Sequence, residues 1–356
     1  MTLPAVARLG LTLLLGWCAA QACIFLQTPI PWMLGPMVAT AAVSVAGLQP
    51  RSAIALRNAG QWTIGAALGL YFSPQVLSLL AGLWWAVALA VVWAMGLGWA
   101  FGRWLQARHG DELGSTPSQQ AATGFFASSI GGASEMTLLA EREGARTDLV
   151  ASAHSVRILM VTLLVPFAIT LSGWHGMDAT PPGPRAVHWP GLLGLIALTG
   201  LGGWVMRRLG RANPWFMGAL VVAMGLTMAD LHLSALPPWL TNSAQLLIGI
   251  SLGVRFTPDF LKMAPRWLVS VGLGTLGMIA MSAAFGIGLA WLTGLHPATV
   301  VLATAPGGIA EMAITAKVLQ LGVPVVTAFQ VCRRVAVLLL VEPVFGWQQR
   351  SDRQAH

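Results

Sequence analysis

Two short stretches place a pair of glycines and a glutamate inside apolar sequence. The first reads SSIGGASEMTLLAE over residues 128–141, and the second reads TAPGGIAEMAITAK over residues 304–317. Adjacent glycines break a helix because they remove side-chain packing and add backbone freedom. Within a bilayer, such irregular backbone is tolerated only where protein or a watery cavity satisfies its polar groups. The repeat predicts an irregular polar point that is built twice, at Gly131 and Gly132 and at Gly307 and Gly308.

A glutamate follows each glycine pair at the start of a predicted second half-helix. Glu135 and Glu311 would lie in the first turn, where the positive end of the helix dipole favours a carboxylate. Ser134 is of a type that caps helices through its side chain, so we expect it to cap the first of these half-helices. Ala310 offers no side-chain cap at the corresponding place.

An arginine lies 22 residues after each glutamate, Arg157 after Glu135 and Arg333 after Glu311. An ionisable residue within a membrane span is costly and is a functional-site hypothesis by default. Three interpretations stay open. Glutamate and arginine pair within each half. Alternatively, each faces a solute, with arginine binding an anion and glutamate a proton or a metal cation. In the third, they are buried pairs that only fix helix packing.

Other polar side chains in apolar sequence add to the candidate site. Asn58 with Gln61, and Asn242 with Gln245, are three residues apart, so each pair shares a helix face. They either line a solute path or form hydrogen bonds between helices.

His154 lies close to Arg157 on the same predicted helix face. A single histidine in such a place is more often a hydrogen-bonded packing residue than a ligand. Its counterpart in the second half is Gln330, which argues against a role shared by the two halves.

Composition identifies a polytopic membrane protein. Of the 356 residues, 56% are hydrophobic and 9% are charged, whereas soluble domains carry about 25% charged residues. Segments such as 76–101 and 267–293 are long enough to cross a bilayer core of about 30 Å. The net charge of +8 is explained by basic loops that hold orientation on the cytoplasmic side. The lipid bilayer is therefore a predicted partner, and nucleic acid is not.

The chain is an internal duplication. NAGQWTIGAALGLYFSP, residues 58–74, aligns without gaps to NSAQLLIGISLGVRFTP, residues 242–258. PWMLG at Pro31 recurs as PWFMG at Pro214, and the glycine-pair motif is the third match in the same order. We predict membrane repeat 1 over 9–173, a linker over 174–189, membrane repeat 2 over 190–347 and a cytoplasmic tail over 348–356.

Each half offers six apolar segments. They are 9–28, 31–48, 55–72, 76–101, 118–139 and 148–172, then 190–207, 214–231, 238–256, 267–293, 298–319 and 323–346. If all twelve cross, the basic loop residues divide almost evenly between the two sides. If the two motif segments are re-entrant, all basic loop residues except Arg185 and Lys317 share one side, as cytoplasmic loops do.

The second arrangement predicts an all-α protein with about 10 transmembrane helices and two broken or re-entrant segments. It gives two repeats of inverted topology with both termini in the cytoplasm. A motif segment that crosses as a broken helix, with another segment too short to cross, is the alternative. The first segment, which ends near an Ala20-Gln21-Ala22 sequence that fits a signal-peptidase site, is predicted to be retained.

These motifs resemble the AbrB-like membrane protein family of bacteria. The resemblance rests on the PWMLGP and PWFMGA motifs, the duplicated N-x-x-Q block, and GGASEM with PGGIAEM, and it covers about residues 10–346. It implies an inner-membrane protein that is linked by name to regulation of gene expression. It also implies distant kinship with cation:proton antiporters and anion transporters built from inverted repeats. Ile130 stands where the family form has proline.

A label of ammonia monooxygenase, often given to such proteins, conflicts with the residues. Copper oxygen chemistry needs clustered histidines or carboxylates, and the sequence has no such cluster. We predict no enzyme activity and no cofactor. The favoured function is secondary transport or export of a small solute by alternating access, with a coupling ion such as a proton or sodium. The alternative is a membrane-embedded sensor that regulates gene expression through a partner.

Overall fold

The computed structural model describes residues 4–174, 176, 186–211, 213–258 and 265–354, and over these residues the chain is helical without strands. Most of the predicted linker, including Arg185, lies outside this part of the chain. The predicted all-α fold class is confirmed.

The first half of the chain contains eight α-helices within its described residues. Several begin at proline, which is favoured in the first turn because it lacks the N–H that a helix start leaves unpaired. They are α1 Ala5–Phe25, α2 Pro31–Val45, α3 Ile54–Gly69, α4 Pro74–Gly82, α5 Trp84–His109, α6 Pro117–Ser128, α7 Ala133–Arg142 and α8 Thr147–Leu171.

The second half repeats this order within its described residues. The helices are α9 Trp189–Arg208, α10 Pro214–Met228, α11 Pro238–Gly253, α12 Pro265–Thr293, α13 Pro297–Thr304, α14 Ile309–Val318 and α15 Val323–Gln354. Helix α15 extends through much of the predicted tail, 348–356.

Six helices of the described chain are long and apolar enough to cross a membrane: α1, α5, α8, α9, α12 and α15. Helices α3 and α4 together form a further broken span or re-entrant element, since they bend by 86°. The predicted single segment 76–101 was wrong at its start, because residues 74–82 form the separate short helix α4. The finer prediction of ten crossings stays a prediction.

The chain divides into two compact units, and each unit draws on both sequence halves. Unit 1 comprises Met1–Gly82, Pro166–Leu261 and Ala313–Pro324. Unit 2 comprises Leu83–Val165, Lys262–Met312 and Val325–His356.

Unit 1 is held together by close packing between helices of opposite halves. A Cβ on Gly65 of α3 would overlap the carbonyl oxygen of Phe216 on α10. The reciprocal contact is made by Gly249 of α11 against the carbonyl oxygen of Met33 on α2. Gly65 and Gly249 each begin a G-x-x-x-G sequence, which ends at Gly69 and Gly253. These sequences serve close helix approach, as small residues do in membrane helices.

Helices α3 and α11 also meet each other. A Cβ on Gly60 would lie 2.9 Å from the carbonyl oxygen of Ala244. These two residues occupy equivalent positions in the aligned blocks 58–74 and 242–258. Aligned positions of the two sequence blocks are thus in direct contact.

Unit 2 has an apolar core that includes residues of the first motif segment. Phe126, Leu105, Met136 and Trp267 are fully buried in it. Helix α6 packs on α5, and α13 packs on α12. The first half-helix of each motif segment is therefore packed against a long, uninterrupted apolar helix.

Candidate functional site: paired helix breaks

Each glycine pair interrupts its helix. Helix α6 ends at Ser128 and α7 begins at Ala133, while α13 ends at Thr304 and α14 begins at Ile309. The predicted break is confirmed in both halves. Each break ends one half-helix and starts another, so unpaired carbonyls and unpaired N–H groups meet within a few residues.

The first glycine of each pair makes room for the methionine of the motif. A Cβ on Gly131 would lie 2.9 Å from Cε of Met136. A Cβ on Gly307 would lie 3.0 Å from Cε of Met312. The buried methionine folds back over the break in both halves.

The second glycine makes room for the glutamate carboxylate. Cβ atoms on Gly132 and Gly308 would overlap Oε2 of Glu135 and of Glu311, respectively. Each carboxylate therefore lies over the start of its own half-helix, where the helix dipole favours it. The predicted placement of both glutamates in a first turn is confirmed.

The prediction that Ser134 caps α7 was wrong. The N-cap residue is Gly132, which makes no side-chain cap hydrogen bond, and Ser134 lies inside the first turn. The half-helix therefore begins at Ala133, two residues earlier than a serine cap at Ser134 would place its start. Glu135 consequently takes the third helical position, from which a glutamate reaches back towards the cap.

Arg157 and His154 together bind the end of half-helix α6. Arg157 Nη1 donates to the carbonyl oxygen of Ser128 at 3.2 Å, and Arg157 Nη2 lies 2.8 Å from His154 Nδ1. Because arginine only donates, Nδ1 must accept and the histidine must carry its proton on Nε2. That Nε2 lies 3.0 Å from the carbonyl oxygen of Phe126 and donates to it.

Arg333 and Gln330 do the same at half-helix α13. Arg333 donates from Nη1 to the carbonyl oxygen of Ala305 at 2.6 Å and from Nη2 to that of Gly307 at 2.7 Å. Arg333 Nη2 also donates to Gln330 Oε1. Gln330 Nε2 in turn donates to the carbonyl oxygens of Leu302 at 2.9 Å and of Ala305 at 3.1 Å.

His154 and Gln330 therefore share one role, contrary to the sequence argument against it. A histidine Nε2–H and a glutamine Nε2–H both reach carbonyls one helical turn before the break, and both side chains accept from the arginine three residues on. The two arginines satisfy carbonyls that the half-helix ends leave unpaired. Their positive charge also complements the negative end of the helix dipole.

Glu135 pairs across the two halves. Arg334 Nη2 donates to Glu135 Oε1 at 2.7 Å, and the two side chains are 19% and 17% exposed. Pairing of Glu135 with Arg157, one of the interpretations open from the sequence, is therefore superseded. Arg334 was missed as a site residue. The sequence feature that could have revealed it is a second arginine directly after Arg333 in an apolar segment, where the first half has Ile158 after Arg157.

Positive charge accumulates beside the breaks. Arg157 is 3% exposed and Arg333 is 6% exposed, and Arg333 is repelled electrostatically by Arg157 and by Arg334. The Nε atoms of Arg157 and Arg333 are buried without a hydrogen-bond partner in the structure as described. Each arginine thus keeps one buried donor beyond those used on the half-helix ends.

The four amides predicted as site residues belong to unit 1. Asn58 and Gln61 lie on α3, and Asn242 and Gln245 lie on α11. Gln245 is buried, at 5% exposure, and the other three are half-buried. They flank the contact between α3 and α11. The glycine pairs, glutamates and arginines belong to unit 2.

Known proteins resemble this chain over most of its length. A model of the family described as "Transition state regulatory protein AbrB" matches residues 32–349. "Putative regulator AbrB" of Escherichia coli (strain K12) is 27% identical over 341 residues, which cover 94% of each chain. "Uncharacterized protein YhjN" of Bacillus subtilis (strain 168) is 27% identical over 315 residues, 80% of this chain and 77% of that protein.

Proposed function

The chain belongs to the AbrB family, and from that premise we propose that it is a secondary transporter or exporter of a small solute. The solute site would be formed by the two helix breaks of unit 2. The observation that carries the proposal is the pair of breaks, each with a buried arginine and a glutamate, in a protein of apolar spans. Broken helices that face one another are the usual place for a solute in transporters built from repeats.

Reciprocal contacts support the proposed inverted repeats. Gly65 meets Phe216 as Gly249 meets Met33, and Gly60 meets Ala244, its own equivalent. A two-fold axis between two repeats generates this pattern: if a residue of the first repeat contacts a residue of the second, the residues equivalent to them also contact each other. With the one-sided distribution of basic loop residues, this pattern favours about ten crossings with both termini in the cytoplasm. We propose that the membrane is the bacterial inner membrane and that the coupling ion is a proton or sodium.

The proposal predicts that the breaks are open to each side of the membrane in turn. We would replace Cys18, Cys23 and Cys332 by alanine, introduce Ala133→Cys at the start of α7, and label proteoliposomes with a membrane-impermeant thiol reagent. Labelling from inside and from outside supports alternating access. The exposed control Ala107→Cys should react from one side only. Labelling of Ala133→Cys from a single side would contradict the proposal.

A regulator acting through a partner is the second candidate, and the family description and the name of the Escherichia coli relative favour it. It predicts a break that is open to one side, and an effect on gene expression that survives when solute movement is abolished. Export of an inducer would join the two functions. In that case, Glu135→Gln would change gene expression and solute movement together.

A further inference from the structure

We propose that the paired breaks bind a small carboxylate-type anion, an inference that rests on the proposed solute site and names its chemical class. The first argument is the unused hydrogen-bonding capacity of the two buried arginines. Arg157 and Arg333 spend their Nη groups on carbonyls and on His154 or Gln330. Their buried Nε atoms have no partner among the described residues.

An unpaired Nε–H selects the kind of ligand. The Nε–H and an adjacent Nη–H of a guanidinium together match the two oxygens of a carboxylate. Arg157 retains one unused hydrogen on each Nη, whereas Arg333 Nη2 donates to both Gly307 and Gln330, so Arg333 offers its Nε–H to one oxygen. A buried donor without a partner costs roughly 1–3 kcal/mol. A carboxylate, or another oxyanion, at the Nε–H would remove that cost, whereas a cation would not.

The charge balance points to the same class. Three guanidiniums, of Arg157, Arg333 and Arg334, stand against the carboxylates of Glu135 and Glu311. Arg334 is engaged with Glu135 at 2.7 Å, while Arg157 and Arg334 both repel Arg333. The groups at the two breaks therefore carry an excess positive charge, which a monoanion would neutralise.

The N-termini of two half-helices add to the positive electrostatic potential at the breaks. Helices α7 and α14 each have ten residues. Their first turns begin at the breaks whose carbonyl groups accept hydrogen bonds from Arg157 and Arg333. Helix N-termini favour anions through their dipole and their unpaired N–H groups. For a cation site, by contrast, the described residues contain no group of three histidine, cysteine or carboxylate side chains.

The test uses the full-length wild type in detergent and records its thermal unfolding midpoint. Sodium acetate, lactate and benzoate would be compared with sodium chloride at equal ionic strength, and with acetamide as a neutral analogue of acetate. A ligand that binds only the native state raises the midpoint as its concentration exceeds Kd. We expect at least one carboxylate to raise it and acetamide to leave it unchanged.

Variants locate the effect. Arg157→Lys and Arg333→Lys keep the charge but remove Nε–H, and we expect each to weaken the apparent carboxylate affinity at least about tenfold. Arg142→Lys, on the exposed side of α7, is the matched control and should bind as the wild type does. If the lysine variants do not fold, the comparison of acetate with acetamide on the wild type still tests whether the protein binds a carboxylate.

The inference is overturned if no carboxylate shifts the midpoint, if acetamide acts as acetate does, or if sodium or ammonium alone is effective. Its failure is distinguishable from failure of the transport proposal. Carboxylate binding without movement into proteoliposomes would support the anion site and contradict the transport proposal. Movement of a cation or neutral solute without carboxylate binding would support transport and contradict the anion site.

Discussion

Arg334 donates to Glu135 Oε1 at 2.7 Å and so joins the last long helix of the chain to the motif of the first half. Gly132 makes this contact feasible, since a Cβ there would lie 2.5 Å from Arg334 Nη2 and would overlap the carboxylate. The position of the first half that aligns with Arg334 holds Ile158, which cannot form an ion pair.

The Glu135–Arg334 pair should be strongly coupled. Removing one partner of a largely buried ion pair leaves a charge without compensation. We expect Glu135→Gln and Arg334→Gln each to lower the free energy of unfolding, with a coupling of roughly 1–3 kcal/mol in a double-mutant cycle. Thermal unfolding in detergent gives all four values.

The ion pair of Arg142 with Glu342 is the matched control for that cycle. Its atoms are 3.9 Å apart and its side chains are 65% and 59% exposed, so its coupling should stay below about 1 kcal/mol. Equal coupling for the two pairs would show that Glu135 is solvated and that the described burial does not govern its energy.

The second glycine of each break should reject any side chain. Gly132→Ala and Gly308→Ala would displace the glutamate carboxylates, and overpacking of this kind costs about 1–3 kcal/mol. Gly96→Ala in α5 is the control, because no atom lies within 4 Å of a Cβ there, and alanine favours a helix by up to about 1 kcal/mol. Unfolding midpoints that fall in the control as much as in the two variants would contradict this account.

His154 should tolerate glutamine but not leucine. Glutamine at this position would repeat what Gln330 does, donating to a half-helix carbonyl while accepting from an arginine. We expect His154→Gln to change stability by less than about 1 kcal/mol, and His154→Leu to cost about 1–3 kcal/mol, because buried polar groups lose their partners. Equal losses in the two variants would mean that ring packing, rather than hydrogen bonding, makes His154 necessary.

The close helix approaches of unit 1 should be sensitive to a single methyl group. Gly65→Ala and Gly249→Ala would push α3 from α10 and α11 from α2, at a cost of about 1–3 kcal/mol each. Gly277→Ala in α12 meets no atom within 4 Å and, like Gly96→Ala, should not lower the unfolding midpoint. If the first two variants are also neutral, the helices do not meet at the carbonyls of Phe216 and Met33.

Local chemistry made the helix breaks predictable from the sequence. Gly131 with Gly132, and Gly307 with Gly308, lie where their helices are interrupted. The glycines alone are not sufficient, since Gly202 with Gly203 lie within the continuous helix α9. The placement of Glu135 in a first turn follows from the same break.

Partners that come from distant parts of the chain were not predictable in this way. The equal spacing of Glu135 to Arg157 and of Glu311 to Arg333 left pairing within each half as one of three interpretations, but the fold brings Arg334 to Glu135. His154 and Gln330 looked unrelated because their side chains differ, and only the carbonyls that they reach reveal a shared role. The boundary between α4 and α5 was not predicted because residues 76–101 are apolar throughout, so hydropathy alone does not show a helix boundary.

Solute movement through the paired breaks is the central claim, and its most direct test is flux in proteoliposomes. Electrical current and internal pH would be followed after concentration jumps of carboxylates, phosphate, sodium or ammonium. We expect one solute class to give saturable, protein-dependent flux that is lost in Arg333→Lys and Glu135→Gln and retained in Arg142→Lys. Flux that is absent for every solute, or unchanged in the two variants at the breaks, would contradict the claim.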